Sequence, residues 1–187
     1  METLVAEINT FYNRNRRIYT PFSLLFFNRS RRLCAKYLSN INESVNVLEI
    51  GAFDNNYKKM YPERHRYTAI DLSGSEGVIE MNGEEMSFKD NYFDVVILNH
   101  VLSVTDNPKK MLQEVVRVSK SNSVLLITNH FSDSRIKKWF TFFTKQLYFK
   151  SFFPFKVLHL PKLKIEHIQP TFKLFPIWKF IVIKNLK

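Results

Sequence analysis

Glu49-Ile50-Gly51 closes one apolar run of the chain, and Asp71 closes another about 20 residues later. In α/β folds that spacing belongs to nucleotide recognition. The glycine lets the backbone approach a ligand, and the carboxylate accepts hydrogen bonds from both ribose hydroxyls. The loop that follows reads Gly51-Ala52-Phe53-Asp54-Asn55-Asn56 and lacks G-x-G-x-x-G, the pattern that seats a pyrophosphate. A ligand without phosphate therefore suits it better than a dinucleotide. The same residues also fit a plainer arrangement, a buried strand with a turn glycine and an aspartate capping the next helix. Other polar or small groups follow later apolar runs: Asn82 to Glu85, Asn99 with His100, and Asn129 with His130.

These groups need elements to hold them. Val45 to Ile50, Tyr67 to Asp71, Phe93 to Leu98 and Ser123 to Thr128 read as buried strands, with a short one at Val78 to Met81. A helix is expected from Pro108, where Met111, Leu112, Val115, Val116 and Val118 recur at helical spacing. Another is expected over 30–41, with Leu33, Tyr37, Leu38 and Ile41 on one face and Ser30 as N-cap. Apolar strands alternating with helices predict a parallel sheet covered on both faces, a doubly wound, Rossmann-like α/β domain. Ligands in such sheets lie beyond the carboxyl ends of the strands, where every polar group above falls. Leu163 to Ile168 and Trp178 to Ile183 read as a closing antiparallel pair, with Pro170 and Pro176 framing the connection.

At 187 residues the chain has the length of one domain. Its 28 Lys+Arg against 17 Asp+Glu give a net charge of +11, which calls for an anionic partner. The charge is uneven: residues 41–130 carry 9 basic and 13 acidic groups, residues 131–187 carry 12 and 2. The 18 Phe follow suit, with 11 in that last stretch. A single cysteine, Cys34, excludes a disulfide framework and a cysteine-ligated zinc site, and no metal site is expected. With no apolar run of transmembrane length and no secretory leader pattern at residues 1–17, the expected location is cytoplasmic.

Taken in order, Val47-Leu48-Glu49-Ile50-Gly51-Ala52, Ala69-Ile70-Asp71-Leu72-Ser73, Asn82 to Phe88, Asp90 to Val96, Val101-Leu102 and Glu114 to Val118 resemble the successive motifs of class I S-adenosylmethionine-dependent methyltransferases of the methyltransferase type 11 kind. The resemblance covers about residues 45–130. It implies a seven-stranded sheet with an antiparallel last strand and S-adenosylmethionine as cofactor. The Gly51 loop is expected beside the methionine part, Asp71 on the ribose and the Asn82–Glu84 turn near the adenine. Implied cofactor contacts are Glu49, Gly51, Ala52, Phe53, Asn56, Asp71, Leu72, Asn82, Gly83, Glu84, Asn99 and His100. The chain departs from the family at Phe53 and Asn55, where glycines are usual, and at Asn82, which replaces a frequent Asp. Only six residues separate Asp71 from Val78, too few for a crossover helix, so a bare loop is expected.

The ends carry a narrower resemblance. Phe11 to Arg14 and Ile18 to Pro21 are similar to the Tyr-rich N-terminal segment of quinone and phospholipid methyltransferases. Val101 to Pro108, Thr128 to Phe131 and Phe172 to Phe175 look like segments of the soluble bacterial phosphatidylethanolamine N-methyltransferases. This layout has N-terminal substrate or lid helices in 1–40, a cofactor core in 41–130 and an aromatic, basic lid with the terminal strand pair in 131–187. His130 would take or relay the proton of an amine acceptor, with Tyr19 closing from the N-terminal helix and Tyr12 beside it on the substrate. The plainer readings are a backbone-satisfied histidine and ordinary helix packing; His65, His159 and His167 read as surface residues. Residues 135–156 mix Trp139 and seven Phe with lysines and suit an anionic membrane surface or lipid substrate, or a lid over the substrate pocket. A nucleic acid ranks lower because Phe dominates and no RNA-binding motif accompanies it. A glycan or small molecule as acceptor, or a degenerate fold that only binds, are the alternatives.

Overall fold

The computed structural model describes residues 16–53, 55, 58–130, 158, 160–172 and 175–187, and of 16–26, 130, 172 and 175–178 the backbone alone. Tyr12, Asn56, His159 and the aromatic stretch 135–156 lie outside the described residues. Seven strands, β1 (Asn46–Ile50), β2 (Arg66–Asp71), β3 (Ile79–Glu80), β4 (Phe93–Asn99), β5 (Ser119–His130), β6 (Leu163–Phe172) and β7 (Phe175–Asn185), form one sheet in the order β3-β2-β1-β4-β5-β7-β6. Strands β1 to β5 run parallel, and β7 is antiparallel to both β5 and β6. This is the doubly wound sheet that the alternation of apolar runs and helices predicts, with the antiparallel last strand that the resemblance implies.

The period of two along each strand sorts side chains to opposite faces. Leu48, Ile50, Val96, Leu98, Leu125 and Ile127 pack beneath helix α2 (Pro108–Val118), which buries Met111, Leu112, Val115 and Val118 against them. Burial contributes about 1.5–3 kcal/mol for each such side chain. Pro108 opens α2, and Asn107 caps it by accepting the Lys110 amide at 3.0 Å. Arg117, near its last turn, forks onto both oxygens of Glu114 at 2.7 and 2.8 Å and also reaches Asp90, the Phe88 carbonyl and the Met86 carbonyl. One guanidinium thereby ties residues 86–90 to the helix.

Val47, Val95, Ile97, Leu126, Phe180 and Val182 face the other way, onto Cys34 and Leu38 of α1 (Arg16–Ser39). Helix α1 begins well before residue 30. Ser30 is not its N-cap: it lies inside the helix, buried, with its hydroxyl beside His100, so a tertiary contact takes the oxygen that a cap would have used. The last turn of α1 is clamped at the amino edge of the sheet. Arg64 donates to the carbonyls of Leu38, Ser39 and Ile41. His65, expected at the surface, is buried: its Nδ1 accepts the Val45 amide at 3.4 Å, leaving Nε2 to donate to the Leu38 carbonyl at 3.0 Å.

The connections on the β3 side are short. A 3-10 turn, Lys58–Met60, packs beside α1 on the way from β1 to β2. Between β2 and β3 the chain runs as a loop, Leu72 to Val78, with a single bridge from Ser75 to Val78. The six-residue spacing predicts this bare loop. Pro170 and Pro176 differ from expectation, since both lie within strands; Pro170 sits opposite Lys179 on edge strand β6, where a register irregularity follows it. An edge position tolerates the missing N–H.

Candidate active site

The carboxyl ends of β1, β2 and β4 meet at one rim. Gly51 leaves β1 with φ +77, and a Cβ built there would lie 2.9 Å from Val101 Cγ2, so only glycine fits. The amides of Gly51 and Ala52 both donate to the Ile70 carbonyl, at 2.9 and 3.1 Å. Phe53 and Asn55 then adopt φ +55, the left-handed region, where the family uses glycines.

Asp71 ends β2 half-buried beside that loop. Its Oδ2 accepts the Phe53 amide at 3.0 Å, and its Oδ1 accepts the amide and hydroxyl of Ser73 at 3.0 and 3.1 Å. A carboxylate offers about four acceptor positions, so a vicinal diol taking both oxygens requires the Ser73 hydroxyl to yield. Leu72, next along the rim, is exposed.

Three expected residues turn inward. Glu49 is buried on the α1 face, where Tyr67 Oη donates to one carboxylate oxygen at 2.5 Å and Asn99 Nδ2 to the other at 3.3 Å. Thr128 Oγ1 donates to Asn99 Oδ1 at 2.6 Å, which fixes the amide so that its nitrogen faces Glu49; the Cys34 thiol approaches the same oxygen at 3.7 Å. Burial pushes the Tyr67 hydroxyl far up, reinforced by the Glu49 charge, and does the same to the Cys34 thiol. Both stay protonated. Glu84, expected near an adenine, is buried and accepts instead from the Thr105 hydroxyl and, at 2.8 Å, from the Asn107 amide, holding the approach to α2. Gly83 serves packing, since a Cβ there would meet Ile50 Cγ2 at 2.8 Å. Asn82 stays exposed and accepts the Glu84 amide at 2.9 Å.

His100 follows β4 at φ +58 with its ring stacked 4.3 Å from Phe27 of α1 and its Nε2 3.3 Å from Ser30 Oγ. The structure thus gathers Gly51, Ala52, Phe53, Asp71 and Leu72 at one rim, and links Asn99 and His100 to α1. Tyr19 lies in the first half of α1 and His130 ends β5 opposite Trp178, both as backbone. The contacts of Tyr67 and Thr128, read only as strand residues, and of Ser30, read as a helix cap, went unread in the sequence. Strand alternation was the available signal, because Glu49, Asn99 and Thr128 share a face with Val47, Ile97 and Leu126.

A seven-stranded sheet in this order with an antiparallel β7 and a ligand rim at β1, β2 and β4 is the architecture of class I methyltransferases. Residues 48–127 match the family model described as a methyltransferase domain. The chain is 30% identical to a phosphatidylethanolamine N-methyltransferase of Cereibacter sphaeroides over 103 residues, 46% of this chain and 51% of that one. It spans about half, or less, of the length of the curated relatives it matches. Among solved structures, the 1,6-didemethyltoxoflavin-N1-methyltransferase of Burkholderia thailandensis, with bound S-adenosylhomocysteine, aligns at TM-score 0.70 and 15% identity over 98% of this chain and 88% of that one. A SAM-dependent methyltransferase of Thermotoga maritima aligns at TM-score 0.68 and 15% identity over 96% and 100%. At that identity the two structures define the fold.

Proposed function

We propose that this chain uses S-adenosylmethionine to methylate an amine or hydroxyl of an amphipathic acceptor, with phosphatidylethanolamine as the first candidate. The residues at the rim fit the cofactor. Gly51 turns the chain at φ +77 directly after β1, and the Asp71 carboxylate stands at the same rim, where a ribose diol could take its oxygens once the Ser73 hydroxyl yields. When bound, the cofactor supplies an electrophilic methyl on a positively charged sulfur.

Transfer requires the acceptor lone pair in line with the methyl–sulfur bond, so alignment contributes most of the rate. The acceptor would gain the methyl that the cofactor supplies, the sulfur would keep the electron pair, and the acceptor proton would pass to a base of this chain. His130, ending β5 on the carboxyl edge, and Tyr19 on α1 are the proposed proton acceptor and its closing partner.

The observation that supports an amphipathic acceptor is the path of α1. Its residues Phe27 and Ser30 stand beside His100 at the carboxyl edge, and its last turn is held at the amino edge. The eleven residues from Arg16 to Phe26 continue the helix for about 16 Å beyond that contact at 1.5 Å per residue. Residues 18–28 carry no charge, whereas α1 as a whole has six Arg/Lys and no Asp/Glu, with Arg29, Arg32 and Lys36 exposed on one stripe. An uncharged half-helix above a basic collar suits the boundary of an anionic membrane, and the Phe-rich, Lys-rich stretch 135–156 has matching composition. Attachment would then be peripheral, at the cytoplasmic face. Among the described residues no helix is long and apolar enough to cross a membrane. The similarity to the Cereibacter enzyme adds support for the headgroup amine.

The deciding experiment incubates the protein with methyl-labelled cofactor and a whole-cell lipid extract. Label in a phospholipid headgroup is expected; cofactor turnover with label only in water-soluble products would replace the lipid acceptor with a small molecule or glycan.

A further inference from the structure

The crossover between β2 and β3, reduced to the loop Leu72 to Val78, has taken on a second connection. Ser75 Oγ donates to the Phe53 carbonyl at 2.8 Å. Asn55 Nδ2 donates to the Gly77 carbonyl at 3.1 Å. The Phe53 amide reaches Asp71 Oδ2, so three bonds join the loop after β1 to the end of β2 and to the loop that follows it. Gly77 stands at φ +73, and a Cβ there would press to 2.8 Å from Asn55 Nδ2, so the side chain and the glycine are fitted to each other.

The bonds fall on the two residues whose backbone needs support. Phe53 and Asn55 both hold φ +55, a region that L residues avoid because Cβ crowds the carbonyl; asparagine tolerates it better than phenylalanine. Glycines would reach the same path at no steric cost but would leave the loop free in the absence of ligand. Side chains bonded across to 75–77 instead fix the loop before a ligand arrives, so less ordering is left to binding.

We propose that Ser75 and Asn55 are positioning residues for the cofactor: the short β2–β3 loop holds Phe53 and Asn55 in the left-handed conformation beside the rim at Gly51 and Asp71, and so sets cofactor affinity. This rests on the methyltransferase reading above. Neither residue was among the expected cofactor contacts, and neither touches Gly51 or Asp71 in the structure.

The test is calorimetric titration of the full chain with S-adenosylhomocysteine, alongside thermal melting, for wild type, Asn55→Gly, Ser75→Ala and Ser75→Thr. Asn55→Gly separates two accounts, since it removes the left-handed penalty and the side-chain bond together. If backbone strain limited binding, the glycine would bind as tightly as wild type or tighter. The staple predicts weaker binding by about tenfold, with Ser75→Ala weakened to a similar degree, Ser75→Thr restored, and melting temperatures shifted little. Unchanged affinity in both Asn55→Gly and Ser75→Ala would overturn the proposal, as would a lowered melting temperature with affinity intact, the mark of a merely structural role. A wild-type chain that binds no S-adenosylhomocysteine would overturn the methyltransferase reading itself and this proposal with it, an outcome distinct from variants that bind like wild type.

Discussion

Removing the Asp71 carboxylate takes two functions from one position, since it holds the Phe53 amide and faces the site where a ribose would lie. Asp71→Ala is expected to lower S-adenosylhomocysteine affinity at least a hundredfold, because hydrogen bonds to a charged group contribute about 1.5–3 kcal/mol each. Calorimetry reads this directly, and wild-type affinity in the variant would refute the ribose assignment. Gly51→Ala meets both the left-handed φ and Val101, so a loss of about 2 kcal/mol or more is expected in urea unfolding. In a Val101→Ala background the contact with Cγ2 is gone but that with the residue 101 Cβ, at 3.0 Å, stays, so only part of the loss is expected to be recovered. The Cys34 thiol, raised by burial, is expected to resist thiol reagents at pH 8 in the native chain and to react once urea unfolds it. Gly51 and Asp71 were legible at this scale as strand-end residues, because the apolar runs that they close mark them. Tyr67 and Thr128 were not, since a hydroxyl bonded to a buried carboxylate looks the same in sequence as one facing water.

At the scale of elements, α2 holds the segment before β4 through Arg117. Its guanidinium holds the Glu114 carboxyl below the usual carboxylate range, first through their direct hydrogen bonds. A carboxyl with a depressed folded pKa adds stability that is present above its unfolded pKa and is lost as pH falls through the folded value. Acid unfolding followed by circular dichroism should therefore show a shallower acid limb in Glu114→Gln, and an unchanged limb would remove Glu114 from the linkage. Arg117→Lys cannot reproduce the two-pronged contact and is expected to cost about 1–3 kcal/mol. Strands β1 and β4 could be read from apolar runs because they are buried on both faces, and α2 because its apolar residues recur on one buried stripe. Helix α1 was read fourteen residues short, since Asn28 to Ser30 looks like a start when nothing reveals that His100 waits for the serine.

At the scale of the whole molecule, the division between an acidic middle and basic ends was plain in the composition, and the structure adds where part of it stands. The exposed stripe Arg29, Arg32 and Lys36 lies on the helix that passes the candidate rim. Co-sedimentation with phosphatidylglycerol vesicles is expected to fall as salt rises from about 0.05 to 0.5 M and to weaken further in Arg32→Glu/Lys36→Glu, while phosphatidylcholine vesicles retain little protein. Equal binding to both lipids at low salt would count against the charged surface. Helix α1 is also a beam: Arg64 and His65 bolt its last turn to the amino edge of the sheet, and Phe27 and Ser30 pass His100 at the carboxyl edge. The bolt and Tyr19 are about 30 Å apart along the helix. Loosening the foot tilts the tip, so Arg64→Ala should raise the KM for the acceptor severalfold while leaving S-adenosylhomocysteine affinity where it was, a defect felt at one end of the beam and caused at the other.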